Sequence, residues 1–526
     1  MEMFPSQQFD FPGFPVPSKS FETDQDGCSN DSFFDIASNS PSPSFGEVFT
    51  ENSQLIESRK ERSYTESLKI LKNYQNRFRR LSAAPKRKFP AYDCVCTNVV
   101  FKKLSVAEII KLAAEKIIQG SSQHSADESS VVSHPYASSF LGYSEEDYND
   151  VELVMYLLAS AEKIVDNQFE RARKLLNECD KMSSAKGKAI ERVVYYFSGA
   201  LHERIDRKTG TVTPKGLGNK QSLDILDSLM DLKPDIIAMQ KYVPFSQVWQ
   251  FAAVQAVLDH VGDARKIHII DMEIRTGMHY TIMMQALAAQ RCVPLEYLKV
   301  TAVGTRSRGK IEETGRQLIS FAESLNLKLY FDIVMVDDIL DFHERLLEVK
   351  TDEAVAIYAE LTFLFLVSRQ DRLELLMNVI KRINPRVMVM VEVEANHNSP
   401  VFLNRFLETL FHFGAFFDCL EDCLKHDEAS RMFTEGVYFS QGIRTIVAAE
   451  GEERTIRHVT MNVWKMFFAR FGMVQVELSM SSVYQAKLML NNFACGSSCT
   501  VETDGKSLIV GWKGTPIHSL SAWKVK

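Results

Sequence analysis

The sequence predicts an α/β protein: a doubly wound, mainly parallel sheet, preceded by an α-helical cap subdomain and a disordered N-terminal tail. Three observations point there. From residue 266 onward, short β-branched runs alternate with amphipathic helical stretches. Between about 104 and 260 the periodicity is helical, with no strand candidate. Residues 1–58 keep neither period.

Bulk properties set the limits. A chain of 526 residues can bury a large core and form more than one unit. Hydrophobic content of 45% and charged content of 25% are ordinary for a globular protein. A net charge of −7 does not supply the basic surface that contacts to many phosphates require, although a local patch is compatible with it. The nine cysteines form no dense framework and are expected to be reduced thiols. No basic stretch followed by an apolar run opens the chain, so no secretory signal is expected. No apolar run of about 18 residues offers a membrane span.

The tail, 1–58, holds ten acidic residues, one basic residue (Lys19) and nine phenylalanines. Too little can be buried to offset chain entropy. Acids interleaved with aromatic rings suit an activation-type segment; a plain solvated tail is the alternative. Residues 59–100 form a basic linker. Arg79, Arg80, Lys86, Arg87 and Lys88 make a candidate nuclear import signal or nucleic-acid patch.

Folded structure is expected from about 101 to 526, with the cap at about 101–262 and the α/β core at about 263–526. Ser105 and Glu108 form a capping-box pattern before Ile109, Ile110 and Leu112. A Ser- and Asp-rich loop is expected over 121–149. Helices are expected at 151–179, 186–206, 220–232 and 246–260. Strands are expected at 266–270, 298–303, 329–336, 354–361 and 386–393. The helices between them fall at 277–290, 309–326, 338–348 and 367–383. Runs buried on both faces and separated by helices argue for parallel pairing. Further helices are expected at 399–423 and 455–471. Residues 508–513 and 519–525, separated by Gly514–His518, read as an antiparallel pair.

Several blocks resemble the GRAS family of plant regulators, the scarecrow-like proteins, over roughly 101–526. Ile267-His268-Ile269-Ile270-Asp271 is similar to the family's Val-His-Ile-Ile-Asp signature, and Gly277, Gln285, Ala286 and Leu287 follow at matching spacing. Pro385, and the block from Val389 through Glu394, Asn396, His397 and Pro400 to Arg405 and Phe406, resemble the next motif. Trp512 and Trp523 stand in blocks like the C-terminal one. Gln441-Gly442 replaces the family's Arg-Glu pair, and Tyr280 a usual tryptophan. The N-terminal segment has no Asp-Glu-Leu-Leu-Ala stretch, which argues against the gibberellin-regulated branch.

The resemblance implies a methyltransferase-like fold with a helical cap, so S-adenosylmethionine chemistry must be weighed. A cofactor turn wants glycines, because backbone must approach the ligand closely. Here Met-Glu-Ile-Arg-Thr separates Asp271 from Gly277. The end of the second strand, Thr301 to Arg308, has no acid for ribose hydroxyls. No cofactor and no catalytic role are therefore expected. His268 reads as a buried histidine bonded to backbone, and Asp271 as a cap for the next turn or a bond to a neighbouring loop. Glu392, Glu394 and His397 form an acid–base cluster without a nucleophile; a structural or partner-contact role is expected. Cys419 and Cys423, near His412 and His426, have a spacing that suits zinc or a buried helix stripe. Cys495 and Cys499 repeat that spacing. Trp512 and Trp523 read as core or interface anchors.

The expected function is a nuclear transcriptional regulator acting through contacts with DNA-binding transcription factors or other GRAS-like proteins. DNA is expected to be contacted indirectly, homo- and heterodimers are both compatible, and no membrane is involved. The alternative is a small-molecule-binding protein or methyltransferase using the α/β core.

Overall fold

Strands buried on both faces alternate with helices and assemble into one sheet in the computed structural model, which describes residues 103–123, 144–211, 234–289 and 293–526. The acidic tail, the import cluster (Arg79, Arg80, Lys86, Arg87, Lys88) and the helix expected at 220–232 lie outside the described residues.

The helical layer comes first. Helix α1 (Val106–Gln123) opens with the anticipated capping box. The Ser105 N–H donates to Glu108 Oε2 at 2.8 Å, and the Glu108 N–H donates back to Ser105 Oγ at 3.3 Å. Of the loop expected over 121–149, residues 121–123 belong to α1 and 145–149 to the next helix, while 124–143 lie outside the described residues. The single helix expected over 151–179 is two, α2 (Glu145–Val165) and α3 (Phe169–Met182). The break falls at Asn167, in the left-handed region with φ 58°, which its short polar side chain tolerates. Then come α4 (Ala189–Lys208), α5 (Pro234–Tyr242) and α6 (Phe245–Val261), with no strand among the described residues of this region.

The parallel half of the sheet follows the expected pattern: β1 (Lys266–Asp271), α7 (Met278–Ala288), β2 (Tyr297–Gly304), α8 (Arg308–Ser324), β3 (Leu329–Met335), β4 (Ala354–Glu360), α9 (Gln370–Ile383) and β5 (Val387–Val393). The strands lie in the order β3-β2-β1-β4-β5, all parallel. One helix in this half fails. Residues 338–348 make two short 3-10 turns, Ile339–Asp341 and Glu344–Leu347. The Asp338 carboxylate accepts the Leu340 N–H at 3.0 Å and holds Arg372 at 2.9 Å, a local bond that competes with the helical ladder.

The remaining elements are α10 (Phe402–Cys423), α11 (Glu428–Phe433), a π-helical turn (Thr434–Phe439), α12 (Ser440–Val447), α13 (Met461–Arg470), β6 (Met473–Val476), α14 (Met480–Leu490), β7 (Cys499–Asp504), β8 (Ser507–Trp512) and β9 (Thr515–Val525). The helix expected from 455 starts only at 461; before it, the His458 carbonyl accepts the His397 N–H at 3.0 Å. Strands β6 and β7 carry little sequence signal, because one spans four residues and the other is polar along its exposed end. The turn before β9 is shorter than expected. Lys513 (φ 44°) and Gly514 (φ 89°) form a two-residue hairpin turn, and β9 begins at Thr515. Strand β9 runs antiparallel to β5 on one side and pairs with β8 and then β6 on the other.

Helix α10 returns to the helical layer, where Phe406 meets Phe197 edge to face at 5.6 Å between centroids. Near its C-terminal end lies a buried ion pair. Arg192, 1% exposed, donates through Nε to both oxygens of Glu435 at 3.1 Å, and Glu435 is fully buried. Arg431 reaches the same carboxylate at 3.4 Å. Breaking such a pair strands a charge in the interior. Arg192→Leu is expected to lower unfolding free energy by about 3–5 kcal/mol, and Arg192→Leu with Glu435→Leu to recover part of that loss. Urea denaturation of both variants tests this; a double variant no better than the single one contradicts it.

Candidate functional site

In an open α/β sheet the ligand crevice lies at the C-terminal strand ends where the winding reverses. Here that point falls between β1 and β4, beneath α6 and the π-helical turn. A cavity of about 250 Å³ sits there, walled by residues that include Trp249, Asp271, Arg275, His279, Tyr358 and Glu360.

Asp271 ends β1 and is 2% exposed. The sequence suggested that it caps the following turn or bonds a neighbouring loop; its partners are instead two side chains of the next helix. Its Oδ2 accepts the Tyr280 hydroxyl at 3.0 Å and faces His279 Nε2 at 3.1 Å, both from α7. Burial, then the Asp271 charge, hold the Tyr280 phenol well above its ordinary pKa, so it stays a donor. Tyr280, which replaces the resembling family's tryptophan, thus supplies a hydroxyl to this carboxylate. His279 stacks on Tyr358 with centroids 4.3 Å apart and an 11° tilt.

The turn that follows does not fit S-adenosylmethionine. Met272 and Ile274 are buried in it, and Glu273 holds a left-handed φ of 131°. Gly277 (φ 67°) caps α7, where a Cβ would lie 2.9 Å from Thr314 Cγ2, so its freedom serves helix packing. Strand β2 ends at Gly304 and is followed by Thr305 and Arg306, with Arg306 3.7 Å from Glu273. The group that would bind ribose hydroxyls is absent from that strand end, and a cation stands in its place.

His268 is fully buried, as expected, but its partners are side chains rather than backbone. Nδ1 meets Glu353 at 3.0 Å and Nε2 meets Thr301 at 2.8 Å. Burial lowers its pKa despite the Glu353 charge. Strand alternation points His268 and Asp271 to opposite faces, so they belong to different networks.

The acid–base cluster separates. Glu392 Oε1 accepts the Phe363 N–H at 2.7 Å, while Glu394 Oε2 accepts the Met461 N–H at 3.0 Å and so caps α13. His397 instead joins His458 and His412, a grouping that the distant positions 412 and 458 did not reveal. His397 Nδ1 meets His458 Nδ1 at 2.7 Å, which requires that one ring donate and the other accept. Burial, then mutual repulsion, keep His397 and His412 neutral. Burial alone pushes His458 down to about 3. Arg405, 1% exposed, donates to the carbonyls of Ile446 (3.1 Å) and Ser399 (2.8 Å) and to Glu450 (2.5 Å).

The other motif residues scatter. Pro385 is buried after Asn384, the left-handed cap of α9. Gln285 and Asn396 are exposed. Trp512 Nε1 donates to Asp418 at 2.7 Å, and Trp523 Nε1 to Ser521 Oγ at 2.9 Å. At Gly442, which replaces the family's acid, a Cβ would lie 2.9 Å from the Phe413 ring. Cys423 Sγ lies 3.7 Å from Cys419, one helical turn before it, and 2.7 Å from Cys495, 72 residues on. Among the described residues no group of three or more His, Cys, Asp or Glu is placed to hold a metal ion.

Glu392 gives a pH signature. Burial raises its pKa to about 8, only partly opposed by the backbone bond from Phe363. Between about 4.5 and 8 the folded state therefore holds a proton that the unfolded state has lost, and stability falls as pH rises through that window. Glu392→Gln is expected to leave stability unchanged near pH 4 and to raise it at pH 8.5, by about 2–5 kcal/mol on the linkage scale. Thermal melts of the variant and the parent across this range give the difference; a pH-independent difference refutes the assignment.

The sequence model of the GRAS domain family matches residues 153–524. The DELLA protein GAI1 of Vitis vinifera is 30% identical over 382 residues, 71% of this chain and 62% of that protein. The DELLA protein RGA of Arabidopsis thaliana is 29% identical over 384 residues, 72% of this chain and 62% of that protein. The match thus spans less than two thirds of those relatives' length. The crystal structure of SCL7 from Oryza sativa superposes with a TM-score of 0.61 at 24% identity, covering 71% of this chain and 99% of that one. That likeness concerns the fold: a mainly parallel sheet with helices.

Proposed function

This chain belongs to the GRAS domain family, and from that premise we propose that it is a plant transcriptional regulator acting in the nucleus, mainly through protein–protein contacts. The match over 153–524 carries this reading. Its partners are DNA-binding transcription factors and other family members, with DNA contacted through them. The domain plan proposed with it has an acidic Phe-rich tail at 1–58, a basic import linker at 59–100 and a GRAS domain at 101–526, divided into cap and core near 262.

Two structural observations favour contact over chemistry. The switch-point carboxylate, Asp271, is spent on Tyr280 and His279, which leaves it a structural anchor. On α14, Met480 (83% exposed) and Tyr484 (52%) lie one helical turn apart, an apolar pair presented to solvent. No described helix is long and apolar enough to cross a membrane.

A reporter assay tests the mechanism. With the full chain fused to a heterologous DNA-binding domain, deletion of 1–58 is expected to abolish transactivation; undiminished activity removes that role from the tail. Replacing Lys86, Arg87 and Lys88 with Ala is expected to shift a fluorescent fusion toward the cytoplasm. An unchanged nuclear fraction rules out import through that cluster.

A further inference from the structure

Four cysteines gather at the C-terminal end of α10. Cys419 and Cys423 belong to that helix, and Cys423 is its last residue. Cys495 precedes and Cys499 follows the 3-10 turn Gly496–Ser498, which leads into β7. The contacts within the group are unequal. Cys423 Sγ is 3.7 Å from Cys419 but 2.7 Å from Cys495. A disulfide bond measures about 2.05 Å, so only the second gap lies within about 1 Å of bonding. Accessibility singles out the same two residues. Cys419 is 0% exposed and Cys499 6%. Cys423 and Cys495 are half-buried, and both line a cavity of about 710 Å³ whose wall also includes Lys241, Asp427 and Phe493.

The geometry points to Cys423 and Cys495 as a reversible disulfide site, oxidised by a low-molecular-weight disulfide such as that of glutathione. The chemistry is two successive exchanges. One protein thiol loses its proton and attacks a sulfur of glutathione disulfide; a mixed disulfide forms and a glutathione thiolate leaves. The other protein thiol loses its proton and attacks the protein sulfur of the mixed disulfide, expelling the second glutathione thiolate. The protein gives up two electrons and two protons, and two molecules of glutathione thiol carry them away. In a reducing compartment the pair rests as two thiols.

Two further observations shape the proposal. A hydrogen bond with Cys419 raises the Cys423 thiol pKa, and one with Cys423 raises that of Cys495. Neither group is poised as a thiolate at neutral pH, so the closeness of the sulfurs, rather than ionisation, favours the bond, and the first exchange is slow. A metal ion is the competing use of clustered thiols, but among the described residues no three such ligands are placed to hold one. The bond would tie the end of α10 to the segment that joins α14 to β7, across 72 positions of the chain. That segment follows directly on the helix that presents Met480 and Tyr484. The inference does not depend on the regulatory reading, because the cross-link is detected without transcription.

Mass spectrometry of the full chain tests this. The protein is equilibrated in glutathione buffers of increasing oxidised fraction, quenched in acid, alkylated and digested. A peptide pair joined through Cys423 and Cys495 is expected, two hydrogen masses lighter than the separate thiol peptides. It is expected to appear while the fully buried Cys179 stays reduced, and dithiothreitol is expected to reverse it. Cys495→Ser is expected to lose the cross-link while the melting temperature of the reduced protein holds. Thiols at 423 and 495 that stay free through the whole series in the unsubstituted chain overturn the proposal. So does glutathione retained on Cys495 with Cys423 free, a cross-link between Cys423 and Cys419 instead, or a cross-link that forms only in urea.

Discussion

Strand β5 ends the parallel half of the sheet, and without a neighbour its outer edge would leave a row of buried N–H and C=O groups unpaired. Strand β9 satisfies that edge, in register from Met388↔Trp523 to Val393↔His518. An interior strand edge without a partner is untenable, because each orphaned backbone group forfeits its hydration. Much of the molecule hangs on this pairing. The far side of β9 is shared, β8 taking its first half and β6 its second. Trp523 packs on Phe468 of α13 at 4.7 Å, and His518 reaches Trp249 of α6 at 4.2 Å. One strand thus ties the parallel sheet to its antiparallel extension and to the helical layer.

The same economy governs the switch point. A nucleotide-binding protein keeps the strand-end acid free and the turn bare. Here the acid is tied to α7 and the turn is filled by Met272 and Ile274. Buried polar groups elsewhere are likewise absorbed into structure: His268 between Glu353 and Thr301, Glu394 at the start of α13, Arg405 among two carbonyls and Glu450. Such networks favour one arrangement, since a half-satisfied alternative is costly. Such a fixed arrangement suits the contact role proposed above.

Much of the fold was legible in the chain. Strands β1 to β5 were anticipated within two residues at each end, because burial on both faces leaves an uninterrupted apolar run. The capping box placed the start of α1. Short or polar elements were not legible: β6 has four residues, and β7 ends in Glu502-Thr503-Asp504 at an exposed edge. The helix expected at 338–348 failed because the Asp338 carboxylate accepts the Leu340 N–H. Within the site, the missing ribose acid and the crowded turn could be read directly. The partners of Asp271 and His268 could not, and neither could the meeting of His397 with His412 and His458.

The division has a physical basis. Period, burial and turn chemistry act over a few residues, so the sequence sufficed for the alternation of strand and helix, the family blocks and the poor fit to a cofactor. Partnerships across tens or hundreds of residues depend on how elements pack. Glu353 is 85 residues from His268, and Glu435 is 243 from Arg192. No local pattern encodes such pairs. Packing also chose the strand that closed the edge of β5.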